Sequence, residues 1–492
     1  MPAFVGPKQK QLLLLVVLLL SGGFLRFYRL GLESFWLDEL YTVTEADPSW
    51  SLARLFDTLK CCDQHPPLFY LCERLVFMIL GRSEWTARLF PALAGLAGIW
   101  AMYRFGREVA DEKLGLIAAT LTCFNFFHIY FSREARSYSL LFLLATLSFI
   151  YLFRTIRHLR PRDLALYTFF ALLTLYTHYF GIFLVGAQFV AAAVMLFRMK
   201  DKARYARAFL ISGVFLAAAY AVWIPYLLQV HQIKSFWIEP VRGGFFVDYF
   251  QNYFGNAVIV EIVAGVLIIV CLIAAVARKP LIRPPLFPEG YRLSLGILFV
   301  SLFFFYLLPY IRSVLFIPSM IPRYTIPALP ALLIIIAYGM AILQKAWLQY
   351  LLLAVIIGVS MVNIVRDKRM YTGPTKTQFR ELTAFMADND GGRRYPILNE
   401  RTPGLQSYYI EQLHCMGRVY PGLSATVIDS FIHRTSPQYA VEAFWLVEIP
   451  IHPTGELFLV DGIRAGLDSV FVVESQRDFL DGKIKLYRRR SY

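Results

Sequence analysis

Apolar runs long enough to cross a bilayer recur along most of the chain, separated by short basic loops. The pattern predicts helical spans near 11–28, 88–104, 114–131, 137–153, 164–178, 180–197, 208–228, 257–277, 293–311, 325–343 and 347–364, about eleven in all. Pro66 to Leu80 is apolar too, but it holds only about fifteen residues and carries Glu73 and Arg74 at its centre, which a span tolerates poorly. Read as flat on the outer surface, it puts the loops around Arg104/Arg107/Lys113, Arg154/Arg157/Arg160/Arg162, Arg198/Lys200/Lys202/Arg204/Arg207 and Arg278/Lys279/Arg283 on the cytoplasmic side. Read as a span, it turns every one of them outward. The flat reading places the amino terminus in the cytoplasm and the loop 29–87, with two interfacial helices, outside.

The pattern changes after the last run. From Arg366 onward charge, Gly and Pro rise and the apolar runs shorten. Leu457–Val460 and Ser469–Val473 read as strands and Lys376 to Asp388 as a helix. The expected architecture is an all-α polytopic membrane domain over 1–365, followed by a small α/β extracytoplasmic domain over 366–492.

Composition agrees with this organisation. Of the 492 residues, 58% are hydrophobic and 17% charged, and the mean hydropathy is +0.53, far from a soluble domain. The formal charge of +15 sits largely in the short loops, so it marks topology and does not indicate a nucleic-acid partner. Lys8 and Lys10 ahead of the first run resemble a signal peptide, but no small-residue cleavage site follows, and an uncleaved helix is expected. Six cysteines make no disulfide framework; Cys61, Cys62 and Cys72 lie close enough in one outer loop for a bridge, whose pairing the sequence leaves open.

With the topology set, the polar exceptions gather at the outer ends of the spans. Asp38-Glu39 lies among aromatics just past the first run, where adjacent carboxylates repel and lose solvation. Arg88, Arg133, Arg136 and Arg323-Tyr324 are guanidinium groups where the positive-inside rule expects few. Arg133 and Arg136, three residues apart, share a face in a helical turn, and such groups suit a phosphate. Each also has an ordinary reading as an interfacial anchor or a partner of Glu134. His65, Tyr138, His178 and Tyr179 lie at the same level, as cavity-lining residues or as satisfied structural side chains. Glu39, His65 and His178 could together hold a divalent cation, although no single helix carries a metal-ligand spacing.

The ordered set Trp36-Leu37-Asp38-Glu39, His65-Pro66-Pro67-Leu68-Phe69-Tyr70, Ser83 to Leu93, Phe131 to Tyr138, Tyr176 to Gly181 and Arg323-Tyr324 resembles the protein-mannosyltransferase-like branch of the GT-C glycosyltransferases. That branch includes the protein O-mannosyltransferases and the aminoarabinose transferase acting on lipid A. The resemblance covers residues 1 to about 345. It implies a GT-C membrane fold and inverting transfer of a sugar from a polyprenyl-phosphate donor to an envelope acceptor on the extracytoplasmic face. It carries the family's essential acid to Asp38, with Glu39 beside it, and an important arginine to Arg88. The aminoarabinose transferase has Glu-Lys-Pro where this chain has His65-Pro66-Pro67, and there the acid is a metal ligand; Glu39 and His65 would be the corresponding ligands here. The large lumenal module inserted in the eukaryotic protein transferases is missing, which favours a multi-pass enzyme of a bacterial or archaeal cell membrane. The competing classes are a transporter or flippase of a lipid-linked sugar, which predicts polar residues at the midplane and inverted repeats, and a related oligosaccharide ligase.

Overall fold

The computed structural model describes residues 7–61, 65–197, 199, 201–231, 238–276, 291–399, 403–412, 419–421, 425–434, 441–448, 461–480 and 482–490. Contacts divide the chain into two compact units, Met1–Leu30 with Glu45–Lys368, and Gly31–Thr44 with Arg369–Tyr492. The stretch carrying Asp38-Glu39 thus groups with the carboxy-terminal unit, although the sequence reading kept the whole first loop with the membrane part.

The first unit is helical. Its elements are α1 (Pro7–Phe27), α3 (Leu52–Cys61), α4 (Leu68–Leu80), α5 (Glu84–Val109), α6 (Glu112–Cys123), α7 (Phe126–Ser132), α8 (Tyr138–His158), α9 (Pro161–Leu175), α10 (Phe180–Leu196), α11 (Lys202–Tyr220), α12 (Ile224–His231), α13 (Phe245–Tyr253), α14 (Val258–Val276), α15 (Tyr291–Leu315), α16 (Leu329–Ile342) and α17 (Ala346–Val362); α2 (Leu37–Glu45) begins in the other unit and ends at its border. A helix lies over every stretch expected to span. Among the described residues, seven helical segments are long and apolar enough to cross a membrane, and up to eight if α6 and α7 are one span bent by 62°. That bend falls inside the expected span 114–131. Asn125 makes it, because its side chain caps α7 by accepting from the His128 N–H and donates to the Tyr253 carbonyl at 2.9 Å.

Close approach sets the packing. A Cβ on Gly106 of α5 would fall 2.6 Å from Cα of Gly115 in α6, and one on Gly339 of α16 would fall 2.0 Å from the Leu267 carbonyl of α14. Small residues at these points let the helix backbones touch, as membrane helices need when no water drives them together. The helix α5 also packs on α8, and α10 on α15. The helix α4 has 13 residues and is too short to span; its buried residues Phe69, Tyr70, Glu73 and Phe77 form one face, and Gly81 ends it at positive φ. Cys72 is a free thiol, and Cys62 lies outside the described residues.

In the carboxy-terminal unit, α18 (Phe379–Asp390), α19 (Pro403–Gln412), α20 (Ala425–His433) and α21 (Asp461–Val470) accompany a mixed sheet of β1 (Ile397–Asn399), β2 (Val419–Pro421), β3 (Ala443–Glu448), β4 (Phe471–Asp478) and β5 (Lys483–Arg489) in the order β2-β1-β3-β5-β4. β1 runs parallel to β2 and β3, and β5 is antiparallel to β3 and β4. Every residue of β3 is buried, as a central strand covered on both faces requires. The expected strand at 469–473 starts at Phe471, and the expected helix at 376–388 is α18. The expected strand at 457–460 lies outside the described residues.

Candidate functional site

Two polar clusters stand out, one in each unit. In the membrane unit, Arg136 follows the break between α7 and α8. It is 4% exposed and donates from Nη1 to the Tyr70 hydroxyl at 3.2 Å. Its Nη2 lies 3.3 Å from His65 Nε2, and since guanidinium only donates, that ring nitrogen is the acceptor. His65 stacks edge-on to His178 at 5.5 Å, and the buried His178 ring lies 6.1 Å from Tyr138 and 4.8 Å from Tyr324. The Arg323 guanidinium lies 5.8 Å from the centre of the Tyr324 ring. Arg136, His65, Tyr70, His178, Tyr138, Tyr324 and Arg323 therefore form one continuous group, with Tyr179 half-buried beside His178 at the start of α10.

The chain delivers these side chains from irregular backbone. Phe180 N–H donates to His178 Nδ1 at 3.1 Å, so the neutral His178 carries its proton on Nε2. Arg323 sits in a 3-10 segment, Pro322–Ala328, entered from extended Ile321; buried Thr325 in that segment bonds the Tyr253 hydroxyl at 2.6 Å. Irregular backbone at this depth is tolerated where it lines a cavity. An apolar groove of about 690 Å³ opens nearby between α13 and α15, lined by Phe245, Phe246, Phe303, Tyr306 and Tyr310, with Arg242 at its edge. A second hollow continues it past Phe250 to Tyr253.

The other two arginines singled out by the sequence, Arg133 and Arg88, are held differently. Arg133 Nη1 donates to the carbonyls of Leu25, Arg26 and Tyr28 at 3.4, 3.0 and 2.7 Å, and Nη2 donates to that of Arg29 at 3.2 Å. It closes the carboxyl end of α1, where helix carbonyls lack partners. Arg88, 2% exposed, donates to the Leu30 carbonyl at 3.2 Å. Beyond α2, Arg74 grips the carbonyls of Asp47, Pro48 and Trp50 at 2.6, 3.0 and 2.6 Å, and Arg82 pairs with the Asp47 carboxylate at 2.5 Å. Arginines thus fix the chain on both sides of the acid-bearing stretch. Below them, Arg26 Nη2 meets His128 Nδ1 at 2.6 Å in a buried pair that the sequence pattern did not single out.

In the carboxy-terminal unit, Asp38 and Glu39 occupy the first turn of α2, where the helix dipole favours negative charge. Glu39 is fully buried, reaches back to the Trp36 N–H at 3.4 Å as one half of a capping box, and lies 3.8 Å from Lys376 Nζ. Asp38 is half-buried. Tyr70 and Lys376 belong to these two clusters and were missed by sequence reasoning; Tyr70 lay within the quoted His65–Tyr70 motif, whereas Lys376 has no local signal.

Among the described residues no group of three His, Cys, Asp or Glu side chains could hold a metal ion. A divalent cation does not fit His65 as placed, because its Nε2 lone pair points at a guanidinium cation. No step below is routed through a metal.

Comparison with known proteins agrees with this architecture. Residues 64–226, a third of the chain, match the sequence profile of the dolichyl-phosphate-mannose-protein mannosyltransferase family. Curated proteins give no match to the sequence. Among solved structures, ArnT from Cupriavidus metallidurans in the apo state superposes with a TM-score of 0.61 at 13% identity, covering 98% of each chain. The same protein bound to undecaprenyl phosphate gives 0.54 at 14%, again over 98% of each. The Archaeoglobus fulgidus oligosaccharyltransferase in complex with Zn and sulfate gives 0.51 at 12%, covering 88% of this chain and 67% of that one. The fold is that of a polytopic GT-C membrane glycosyltransferase. The resemblance read from the motifs is borne out: the chain is similar to the GT-C enzymes of the protein-mannosyltransferase and ArnT type.

Proposed function

We propose that the protein is an inverting glycosyltransferase that moves a sugar from a polyprenyl-phosphate donor to a hydroxyl of an envelope acceptor on the extracytoplasmic face of the cell membrane. The observation that carries the reading is the largely enclosed group joining buried Arg136 to half-buried Arg323 through His65, His178 and Tyr324, with an aromatic groove leading up to the backbone that bears Arg323. Cationic donors beside an apolar groove suit a ligand with a phosphate head and a prenyl tail. One of the similar structures holds undecaprenyl phosphate. The proposed topology has about eleven crossings, a cytoplasmic amino terminus, α4 flat on the outer surface and the carboxy-terminal unit outside.

The chemistry follows from what each group can do. A sugar linked to lipid phosphate is already activated, so the leaving group needs its charge neutralised more than it needs a proton. Arg136 and Arg323 would supply this in a poorly solvated site, where fixed donors are worth most. The Asp38 carboxylate takes the acceptor proton while the acceptor oxygen bonds to the anomeric carbon. The bond from that carbon to phosphate breaks, and its electron pair leaves on the phosphate oxygen. One displacement inverts the centre and needs no covalent enzyme intermediate. His65, Tyr138, His178, Tyr179 and Tyr324 shape the cavity; Arg88 and Arg133 hold the end of α1.

The test uses purified full-length protein in lipid with a synthetic prenyl-phosphate sugar, alongside mass spectrometry of envelope glycans and lipids with and without the gene. Release of prenyl phosphate that depends on an added envelope acceptor is expected. Asp38→Asn keeps size and most hydrogen bonding, and should lower turnover by about a hundred- to ten-thousandfold while the protein still inserts and folds. Normal turnover in that variant removes Asp38 from the mechanism.

A further inference from the structure

The acid-bearing stretch is fastened to the carboxy-terminal unit at four successive residues. Arg380 Nη2 donates to the Leu32 carbonyl at 2.8 Å, the Thr375 N–H donates to the Glu33 carboxylate, and Ser34 Oγ donates to the Thr377 carbonyl at 3.0 Å. Phe35 N–H donates to the Tyr409 hydroxyl at 2.7 Å, and its fully buried ring lies against Tyr408 and Tyr409. One more contact lies beyond this anchorage, at the acids themselves. Lys376 Nζ is 3.8 Å from Glu39 Oε1, with the two side chains 7% and 0% exposed, and lies 5.7 Å from the centre of the Trp36 ring.

Burying an ammonium costs free energy unless an opposite charge meets it, and the stretch 32–35 is already tied down without this contact. The ammonium therefore answers an electrostatic need. Asp38 and Glu39 are adjacent on one helical turn. A cation 3.8 Å from Glu39 Oε1 fixes that side chain, and with it the turn that carries Asp38. The aromatic face of Trp36 gives the same ammonium a second favourable contact.

We propose that Lys376 is a positioning residue for the acidic pair, acting through Glu39, and that the carboxy-terminal unit is thereby a working part of the catalytic machinery. This deepens the function proposed above and rests on it. Lys376 need not touch the substrate. It holds the Glu39 side chain in place, and with it the first turn of α2 from which Asp38 projects. It also gives the carboxy-terminal unit a task that a tethered accessory module would not have.

The experiment measures transfer from a synthetic prenyl-phosphate sugar by the full-length protein in lipid, with melting temperature followed in parallel. Lys376→Met should lower kcat by about ten- to a hundredfold and leave the donor KM within about twofold. Lys376→Arg, which keeps the charge, should recover most of the rate. Introduced into Glu39→Gln, Lys376→Met should add little further loss, because its effect passes through the carboxylate it no longer meets. If Lys376→Met is not recovered folded, Lys376→Gln replaces it, with the same expectations. A kcat near the wild-type value, or losses that multiply in the double variant, overturns the proposal. If the wild-type protein transfers no sugar at all, the functional reading fails instead. The pair is then judged by melting temperature alone, where Lys376→Met should cost less in the Glu39→Gln background, and equal costs in both backgrounds overturn it.

Discussion

Arg133 and Arg136 lie three residues apart and are held in opposite ways. Arg133 donates to four backbone carbonyls at and just past the end of α1, acceptors fixed by the main chain. Arg136 donates to a tyrosine hydroxyl and an imidazole nitrogen, side-chain acceptors that can rotate away. Removing an arginine of the first kind strands carbonyls; an arginine of the second kind can exchange its partners for an anion. Arg74 and Arg88, both on carbonyls, fall with Arg133. Arg323, beside Tyr324 and the neighbouring histidine, falls with Arg136. Arginines at the helix ends are thus held in two ways, on backbone carbonyls at Arg74, Arg88 and Arg133 and beside side chains at Arg136 and Arg323, the pair proposed to meet the donor phosphate.

The sharpest way to break this division is to compare lysine at the two positions. Lysine keeps the charge but loses the planar fork that grips two oxygens at once. Arg136→Lys should keep expression and lower transfer by about a hundred- to a thousandfold, the range for removing a preorganised donor to developing charge. Arg133→Lys should leave donor KM nearly unchanged and lower stability by about 1–3 kcal/mol, since hydrogen bonds from a charged donor to the main chain are lost. Exchanged phenotypes would show that the two roles are assigned the wrong way round.

A smaller effect is expected at Arg323. Arg323→Lys should weaken donor binding by about 1.5–3 kcal/mol, the range for a hydrogen bond to a charged group. The readout is the apparent KM for the synthetic donor. An interfacial anchor would accept lysine with no change, and that result would group Arg323 with Arg133.

Much of this could be read from the chain, and the parts that could not share a cause. Long apolar runs gave every span-length helix because burial in lipid demands an internally satisfied backbone. That α4 is a short helix was legible from its length, with Glu73 and Arg74 at its centre. Asp38-Glu39 and the arginines at helix ends were legible as charge that an apolar setting has to accommodate. The break at Asn125 was not, because an asparagine in an apolar run does not reveal that it will cap a new helix. The division among the arginines was illegible too, since both kinds obey the same spacing and only the folded chain supplies the carbonyls. The same holds for Lys376, which meets Glu39 across more than three hundred residues of sequence. Periodicity reports the face a residue occupies; it is silent on partners that the fold brings from far away.

The smallest expected effect sets Glu73 against its neighbour Arg74. Arg74 holds three carbonyls, whereas both carboxylate oxygens of the fully buried Glu73 have no hydrogen-bond partner among the described residues. Burial disfavours the charged form and holds the Glu73 carboxyl well above the usual carboxylate range. In the unfolded chain the group titrates near about 4.3. Below that pH both states are protonated, and the native state bears no penalty for ionisation. As pH rises toward the folded-state value, the unfolded chain ionises freely while the native chain does not, so native stability falls. Glu73→Gln mimics the protonated acid and removes this dependence. It should match the wild type near pH 4 and exceed it by about 1–3 kcal/mol near pH 8, measured as thermal unfolding in detergent. Arg74→Gln, by contrast, should lose stability at both pH values, because its carbonyl partners do not titrate. A Glu73→Gln protein less stable than wild type at pH 8 would mean that Glu73 has an ionic partner and is held in place, as Arg74 is.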